Sequence, residues 1–490
     1  MENLEILSKK NHEKKTAPIK IMQFGEGNFL RAFVDWLIQK MNDSGKYTGH
    51  VVVVQPLPMG RVEDLAKQDG LYTLILQGIN EEGKAVKEHE IIDVIDDFVN
   101  PYTDYEKYLE YASSKDLEVI VSNTTEAGIA YCEDDTKIDL DHQTPTSYPG
   151  KVLALLKRRY DTLGKDYPLC LIPCELIDDN GDKLKEVLLR LAKERKMEEG
   201  FIDYIDKDCH YTSTLVDRIV PGFPRDEFSD LCKQYGYIDN NMVKGEYFHL
   251  YVLKAEATVE KKFPVHQVGL HAIYVPDVHP YKQRKVRILN GTHTTLVPVA
   301  YLAGFNEVRE SLLDENISKF ILGEQKEEIV PTVTTKDAQK FADDVLQRFL
   351  NPYVHHQLMS IALNSISKFK ERDLPTMLDD FEKGLVPSHM CFAFASLIRF
   401  YRGYRVVDGK KEEIKLADTA SYIEEFKKLW EKYDASKDVS GLVHAVMSEK
   451  AFWGKDLTSV KGFEDEVTKW LNLILESPTQ MDAIKTFLGK

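Results

Sequence analysis

Through the first 280 residues, short apolar runs alternate with stretches in which apolar residues recur every three or four positions. Such alternation of strand and helix predicts a mostly parallel sheet covered by helices on both faces. Beyond about residue 280 the strand signals fade and helical periodicity dominates. The sequence therefore predicts an α/β fold class, with a doubly wound domain over residues 1–280 and a mostly α-helical domain over residues 281–490.

The first domain is predicted to begin with a buried strand, a glycine-containing turn and a helix. A proline-flanked segment, residues 276–280, is the predicted junction between the domains. Strands are predicted over residues 18–24, 51–54, 117–121 and 169–172, with an edge pair over 71–78 and 86–95, and helices over 28–42, 152–160 and 182–196. The predicted helices of the second domain cover residues 285–303, 307–322, 336–349, 352–369, 375–383, 388–404, 418–433 and 464–475.

Composition narrows the class of partner. A formal net charge of -16 argues against a nucleic-acid partner. No apolar run reaches about 18 residues, so no membrane partner is expected. The six cysteines form no CxxC pair, which predicts a reduced, cytoplasmic protein without a metal site.

A glycine-containing turn directly follows the first predicted strand. Gly25 and Gly27 would let the backbone approach a pyrophosphate, and Asn28 and Phe29 open the helix whose N-terminus favours an anion. Leu30 stands where the usual dinucleotide fingerprint has a third glycine, and an ordinary tight turn between strand and helix is the alternative. The turn predicts a dinucleotide cofactor.

Two further loops follow buried strands, where parallel sheets bind ligands. Gln55 stands where a ribose-binding carboxylate is expected, and its chemistry leaves NAD and NADP both open. Asn123, Thr124 and Glu126 lie in a polar loop after the strand that ends at Val121. We predict that these residues contact the cofactor; a surface turn is the alternative for the polar loop.

The segment from Lys285 to His293 combines an amine, an amide and an imidazole. At ~100° per residue of an α-helix, Asn290 lies ~140° and His293 ~80° around the axis from Lys285, within one arc. Reduction of a carbonyl by hydride needs a proton donor, a group that polarises the oxygen and a group that orients both. A solvated basic turn is the alternative for this segment taken in isolation.

Three motifs together resemble one family. A G-x-G-N-F-x-R-A turn at Gly25, a V-D-R-I-x-P segment at Val216 and a K-x4-N-x2-H segment at Lys285 occur in this order. They are similar to the polyol-specific long-chain dehydrogenases, the mannitol dehydrogenase family. The resemblance covers nearly the whole chain.

The resemblance implies a Rossmann-type first domain, a helical second domain and metal-independent hydride transfer with NAD. It assigns catalysis to Lys285, with Asn290 and His293 in support. It also implies substrate contacts for Asp217 and Lys368.

Two departures from the mannitol enzymes lie in the expected substrate pocket. Leu176 and Ser360 stand where those enzymes carry an asparagine and an arginine. Lys368 and Arg372, four apart on a predicted helix, are our candidates for binding a carboxylate. Within the family, the resemblance implies a small sugar acid as the substrate, with interconversion of D-tagaturonate and D-altronate as the expected reaction. Alternatives are a fructuronate reductase, a mannitol-type polyol dehydrogenase, and a dinucleotide-binding sensor without turnover.

Overall fold

A computed structural model describes residues 4–80, 82–125 and 127–489. The chain divides into two compact units, Met1–Val278 and His279–Lys490. Within the described residues, no helix combines the length and the apolar character needed to cross a membrane.

The first unit is organised by a six-stranded, wholly parallel sheet with the strand order β5-β2-β1-β6-β7-β8. The strands of this unit are β1 (Ile19–Phe24), β2 (His50–Val54), β3 (Tyr72–Ile79), β4 (Ala85–Ile92), β5 (Ile95–Val99), β6 (Val119–Ser122), β7 (Cys170–Pro173), β8 (His210–Tyr211), β9 (Thr214–Asp217), β10 (Val243–Glu246), β11 (Leu250–Lys254) and β12 (Ala272–Val275). The predicted doubly wound parallel sheet is confirmed.

Successive residues of these strands pack into two different cores. Ile21 and Val53 belong to one apolar cluster, whereas Met22 and Val52 belong to another. Side chains alternate between the faces of a strand, so each face of the sheet is covered. This two-sided burial explains why the central strands are nearly continuous runs of apolar residues.

The predicted edge pair is partly wrong. β3 and β4 pair antiparallel, but β3 is the central strand of a second sheet because β10 pairs with its other side. The second predicted strand also ends early, at Ile92, and the following residues form β5 of the parallel sheet. A partner from so far along the chain leaves no signal in local periodicity. A third small sheet has the order β12-β11-β9.

The helix predicted after the first turn is broken at Phe33, whose backbone angles (φ -132°, ψ -72°) are not helical. The α-helices of the first unit are α1 (Asn28–Ala32), α2 (Val34–Asp43), α3 (Val62–Ala66), α4 (Tyr105–Glu110), α5 (Tyr148–Leu163), α6 (Asn180–Glu194), α7 (Glu199–Asp203), α8 (Phe228–Tyr235) and α9 (Ala257–Lys262). A π-helix (Tyr204–Asp208) follows α7, and 3₁₀ turns cover Tyr111–Ser113, Glu133–Thr136 and Val265–Val268.

The second unit is mostly helical, as predicted, and α18 is its most buried long helix, with every residue from Met390 to Ile398 buried. Its α-helices are α10 (His279–Arg284), α11 (Thr292–Leu302), α12 (Val308–Leu313), α13 (Glu315–Gly323), α14 (Ala338–Phe349), α15 (Leu358–Ile361), α16 (Ser365–Arg372), α17 (Leu374–Glu382), α18 (Ser388–Phe400), α19 (Ala420–Ser436), α20 (Val439–Ser448), α21 (Lys450–Trp453), α22 (Phe463–Glu476) and α23 (Gln480–Phe487). It also contains π-helices (Lys285–Gly291 and Glu324–Ile329), a 3₁₀ turn (Val330–Thr332) and a hairpin of β13 (Tyr404–Val407) and β14 (Lys410–Glu413).

Two long predicted helices of this unit are interrupted. Residues 307–322 divide at Asp314, whose carboxylate caps α13 by accepting from the backbone N–H groups of Asn316 and Ile317. Residues 352–369 contain only α15 and the start of α16, because Asn364 adopts a left-handed conformation. The apolar periodicity of the sequence continues through both breaks, so periodicity alone does not reveal them. The capping residues are the sequence signal that marks such breaks.

Candidate active site

The glycine turn of the first unit has the backbone that a nucleotide-binding turn requires. Gly25 follows β1 with a φ of +122°, a value that side chains rarely permit. A Cβ at this position would lie 3.2 Å from the carbonyl oxygen of Asn123. Gly25 therefore lets the turn approach the loop after β6, and this contact brings two predicted cofactor loops together.

Arg31 holds this turn from behind. Its Nε donates to the carbonyl of Glu26 at 3.2 Å and its Nη2 donates to Asn28 Oδ1 at 2.8 Å, while Nη1 donates to the carbonyl of Asn241. The guanidinium is buried, and burial lowers the pKa of Arg31. Asn28 thus supports the turn through Arg31.

A cavity of about 340 Å³ opens in front of the turn. Thr124, in its wall, is fixed by buried Glu175, which accepts from the backbone N–H of Thr124 at 2.9 Å and from its hydroxyl at 2.8 Å. Burial raises the pKa of Glu175. The cavity is lined by Gly25, Glu26, Gly27, Pro56, Leu57, Asn123, Thr124, Thr125, Ala127, Gly128, Ala130, Tyr131, Cys132, Thr146, Ser147 and Tyr148.

The predicted cofactor residues are not all in this wall. Gly25, Gly27, Asn123 and Thr124 line the cavity; Asn28, Phe29 and Gln55 do not. Gln55 is buried and its Nε2 donates to the carbonyls of Leu57 at 2.9 Å and Pro58 at 3.3 Å, so it shapes the loop after β2. Phe29 packs on Phe33 of the core, with ring centroids 5.2 Å apart. Glu126 lies outside the described residues.

Gly27 provides a test of cofactor binding at this cavity. Apart from Gly27 itself and its two chain neighbours, no atom of the described residues lies within 4 Å of a Cβ built on Gly27, so a larger residue fits there. We expect Gly27→Val to weaken NADH binding by roughly 10- to 100-fold, the equivalent of overpacking by about 1–3 kcal/mol, because its side chain enters the space that the pyrophosphate needs. The thermal midpoint should stay within about 2 °C of the parent.

NADH fluorescence titration and a thermal melt measure these two effects. Gly45→Asn is the control, since its Cβ also meets open space, asparagine tolerates the left-handed φ of +70° at this position, and Gly45 lies outside the cavity wall. Unchanged NADH affinity in Gly27→Val would exclude this cavity as the cofactor site.

Asp217 is buried at the end of β9, where it pairs in register with Leu250 of β11. The adjacent Arg218 donates to the backbone carbonyls of Ala32, Tyr247 and Phe248. Burial lowers the pKa of Arg218 to about 9. The arginine of this motif thus binds backbone between neighbouring segments.

In the second unit, the Lys285 motif forms a π-helix, not an α-helix. A π-helix bonds residue i to residue i+5, so Asn290 lies one hydrogen-bonded turn beyond Lys285. The α-helical expectation of ~140° between the two is therefore wrong, because the wider turn returns Asn290 to the side of Lys285. The Asn290 amide is half-buried and makes no side-chain hydrogen bond to the described residues.

Two arginines anchor the π-helix to its own unit. Arg284 is buried, pairs with Asp337 and lies 4.3 Å from the centroid of the Phe341 ring. Arg287 Nη1 lies 2.6 Å from Asp379 Oδ2. A solvated basic turn is thus excluded, since these arginines face the helical body and fix the backbone that carries Lys285 and Asn290.

His293, the third member of the motif, begins a cluster of polar residues. Its ring stacks on Phe349 with centroids 4.1 Å apart, and the ring of His356 meets it edge-on at 5.0 Å. The next residue, Thr294, accepts a hydrogen bond of 3.2 Å from Arg372 Nη1. The start of α11 and the end of α16 are therefore adjacent, so the predicted carboxylate-binding helix lies beside the catalytic motif.

Lys368 lies one turn before Arg372 on α16 and donates to the carbonyl of Ile361 at 2.7 Å. Burial and the charge of Arg372 lower the pKa of Lys368, and burial lowers the pKa of Arg372. Ser360 donates to the carbonyl of Gln357. His356 is the member of this cluster that no sequence motif nominated.

The described residues contain no group of three or more side chains able to hold a metal ion.

Comparison with known proteins follows the division into two units. The family description "Mannitol dehydrogenase Rossmann domain" matches residues 19–267, and "Mannitol dehydrogenase C-terminal domain" matches residues 277–475. The chain belongs to the mannitol dehydrogenase family. The membership expected from the three motifs is confirmed, and the chain is an oxidoreductase that acts on CH–OH groups.

Curated relatives extend over nearly the full length. Altronate oxidoreductase from Bacillus subtilis (strain 168) is 42% identical over 462 residues, covering 94% of this chain and 93% of the relative. Altronate oxidoreductase from Escherichia coli O6:K15:H31 (strain 536 / UPEC) is 40% identical over 479 residues, covering 96% and 98%. The similarity to these relatives identifies the chain as a polyol or sugar-acid dehydrogenase.

Two solved structures share the fold. A substrate-free D-sorbitol dehydrogenase has a TM-score of 0.81 at 20% identity, covering 98% of this chain and all of that chain (100%). Pseudomonas fluorescens mannitol 2-dehydrogenase, in a ternary complex with NAD and D-mannitol, has a TM-score of 0.66 at 20% identity, covering 99% of each chain.

Proposed function

We propose that this family member is a tagaturonate reductase (altronate oxidoreductase), which interconverts D-tagaturonate and D-altronate with NAD. The names of the curated relatives support the substrate. The single structural observation that carries the proposal is the adjacency of the Lys285–His293 motif to the two cations of α16, joined by the bond from Arg372 to Thr294. A carbonyl-reducing group beside a carboxylate-binding group fits a keto sugar acid.

The first unit supplies the cofactor site in this proposal. Gly25 and Gly27 leave room for a pyrophosphate at the N-terminus of the following helix, and Asn123 and Thr124 form the opposite wall. Bound NAD(H) would accept or donate a hydride at the reacting carbon of the sugar. The NAD-bound state of the mannitol 2-dehydrogenase relative supports NAD over NADP.

Lys285 is the proposed general acid. During reduction its ammonium gives a proton to the carbonyl oxygen as the carbon receives the hydride, so that C=O becomes CH–OH. In the oxidation direction the neutral amine takes the hydroxyl proton. The Asn290 amide, one π-turn away and without a protein partner among the described residues, donates to the same oxygen. His293, held against Phe349, orients the substrate or Lys285.

Asp217, at the end of β9, is the proposed contact of the first unit with substrate hydroxyls. Lys368 and Arg372 are the proposed partners of the carboxylate. Arg372 can make a bidentate pair with a carboxylate, whereas Lys368 acts as a point charge.

NADH oxidation by the purified protein, followed by absorbance, tests the proposal. D-Tagaturonate, D-fructuronate and D-fructose are offered in parallel, and each assay is repeated with NADPH. We expect the highest kcat/KM with D-tagaturonate and NADH. A preference for D-fructuronate would change the proposed substrate but not the proposed mechanism. A preference for D-fructose would contradict the proposal that Lys368 and Arg372 bind a carboxylate.

A sensor without turnover is the alternative from another class. NADH binding with no reduction of any of the three sugars would favour it over the enzyme. The Asn290 amide beside Lys285, which has no side-chain hydrogen-bond partner in the part of the chain that the structure describes, favours the enzyme, because a protein that only binds dinucleotide has no use for this pair.

A further inference from the structure

His356 lies in the cluster that joins the catalytic motif to α16. Its ring meets the His293 ring edge-on, with centroids 5.0 Å apart and an interplanar angle of 77°. The backbone around it is fixed, since the carbonyl of His356 accepts from Val308 N at 3.0 Å and Leu358 N donates to the carbonyl of Asn306 at 2.8 Å. These bonds hold the backbone at His356 in place.

The surroundings of His356 are cationic. Burial and then the charge of Lys368 lower the pKa of His356, and Lys368 in turn experiences the charge of Arg372 more strongly than that of Asp418. Within the described residues, no carboxylate comes within ion-pair distance of Lys368. Arg372 has the buried Asp373 beside it, whereas Lys368 has no such partner in the described part of the chain, and a half-buried cation without a paired anion is costly unless a ligand supplies the negative charge.

We propose that His356 binds the carboxylate of the sugar acid together with Lys368 and Arg372, and so determines the preference for acids over neutral sugars. The inference rests on the proposed function and extends it. In this proposal His293 lies at the reacting carbonyl end of the open-chain sugar, and His356 binds its carboxylate end. An N–H of the His356 ring donates to the carboxylate, whose charge favours the protonated imidazole.

The neighbouring histidine provides a matched control. His355 is exposed, and its Nδ1 lies 3.3 Å from Glu307 Oε2, outside the cluster. His356→Gln and His355→Gln are compared with the parent for reduction of D-tagaturonate and of D-tagatose, the ketose that carries a hydroxymethyl group in place of the carboxylate. The ratio of the two kcat/KM values does not depend on the concentration of active enzyme, so partial misfolding cannot imitate the effect.

We expect His356→Gln to lower this ratio by about 10- to 100-fold, as for loss of one charge-assisted hydrogen bond, and His355→Gln to leave it unchanged. The inhibition constant of D-altronate against NADH oxidation gives a second readout, with a rise of at least about tenfold in His356→Gln alone. Equal losses with both sugars and an unchanged inhibition constant would reduce His356 to a support for His293. Failure of the parent to reduce D-tagaturonate would overturn the proposed function instead.

Discussion

Lys285→Ala should lower kcat for D-tagaturonate reduction by roughly 10²–10⁴-fold, the usual contribution of a general acid. The substitution truncates the side chain of the first residue of the π-helix. Because Arg284 and Arg287 hold the backbone of this helix, the fold should be retained. NADH affinity should change by less than about threefold, because the proposed cofactor site lies entirely in the first unit. Absorbance of NADH under saturating substrate measures kcat, and fluorescence titration measures the affinity.

Lys340→Ala is the control for Lys285→Ala. This lysine is exposed on α14 and pairs with Asp344 at 3.0 Å, so its loss should leave kcat unchanged. Added methylammonium should restore part of the turnover of Lys285→Ala, because a small amine can occupy the vacated space and give the proton. Turnover within about tenfold of the parent would show that Lys285 is not the acid.

Asp35→Asn should stabilise the first unit at pH 8. Asp35 is fully buried in the first turn of α2, and burial raises its pKa to about 7. Its Oδ2 accepts from Gln23 Nε2 and from Tyr72 O–H, both at 3.3 Å, while Oδ1 has no hydrogen-bond partner among the described residues. A shift of about three pKa units corresponds to at most about 4 kcal/mol of stability lost when the carboxyl must ionise.

The sign follows from proton binding. Between about pH 4 and pH 7 the folded chain holds the Asp35 proton and the unfolded chain releases it, so the free energy of unfolding falls as the pH rises through this range. Asparagine resembles the neutral carboxyl, and the difference between variant and parent should therefore be small at pH 4 and largest above pH 7. Urea unfolding at several pH values, followed by tryptophan fluorescence, measures it.

Asp64→Asn is the control for this experiment, because Asp64 is exposed and paired with Lys67 and Arg61, which lower its pKa. Asp64→Asn should not stabilise the protein at any pH. Destabilisation by Asp35→Asn at pH 8 would mean that Asp35 is ionised in the folded chain and paired electrostatically with Arg31.

Much of the fold follows from local pattern. The four central parallel strands, β1, β2, β6 and β7, were predictable because burial on both faces makes each a short, nearly unbroken apolar run, as in β2 and β6. The position of β3 was not, since its partner β10 is set by contacts between distant parts of the chain. The breaks at Phe33 and Asn364 were also missed, because a single non-helical residue barely changes a periodicity averaged over several turns.

The parts of the candidate site that lie within short sequence motifs could be nominated from the sequence. The glycine turn and the Lys285 segment each contain their functional groups within a few residues, so reading the sequence was enough to nominate them. A role for His356 could not be predicted from the sequence, because its proximity to His293 and Lys368 arises from the packing of segments that are far apart in sequence. The cofactor contact of Gln55 was predicted only from its position at the end of a strand. That position does not reveal that the Gln55 amide donates to the following loop.

The π-helix at Lys285–Gly291 makes the length of this segment as informative as its composition. A π-turn contains an additional residue compared with an α-turn, and each residue of an α-helix adds about 100° of rotation. If the segment kept its present length but adopted α-helical geometry, the amine and the amide would lie ~140° apart around the axis, although every chemical group would still be present. The spacing of five between Lys285 and Asn290 therefore depends on the π-turn, whereas a relative that lacks one residue here can hold the same pair at positions i and i+4 of an α-helix.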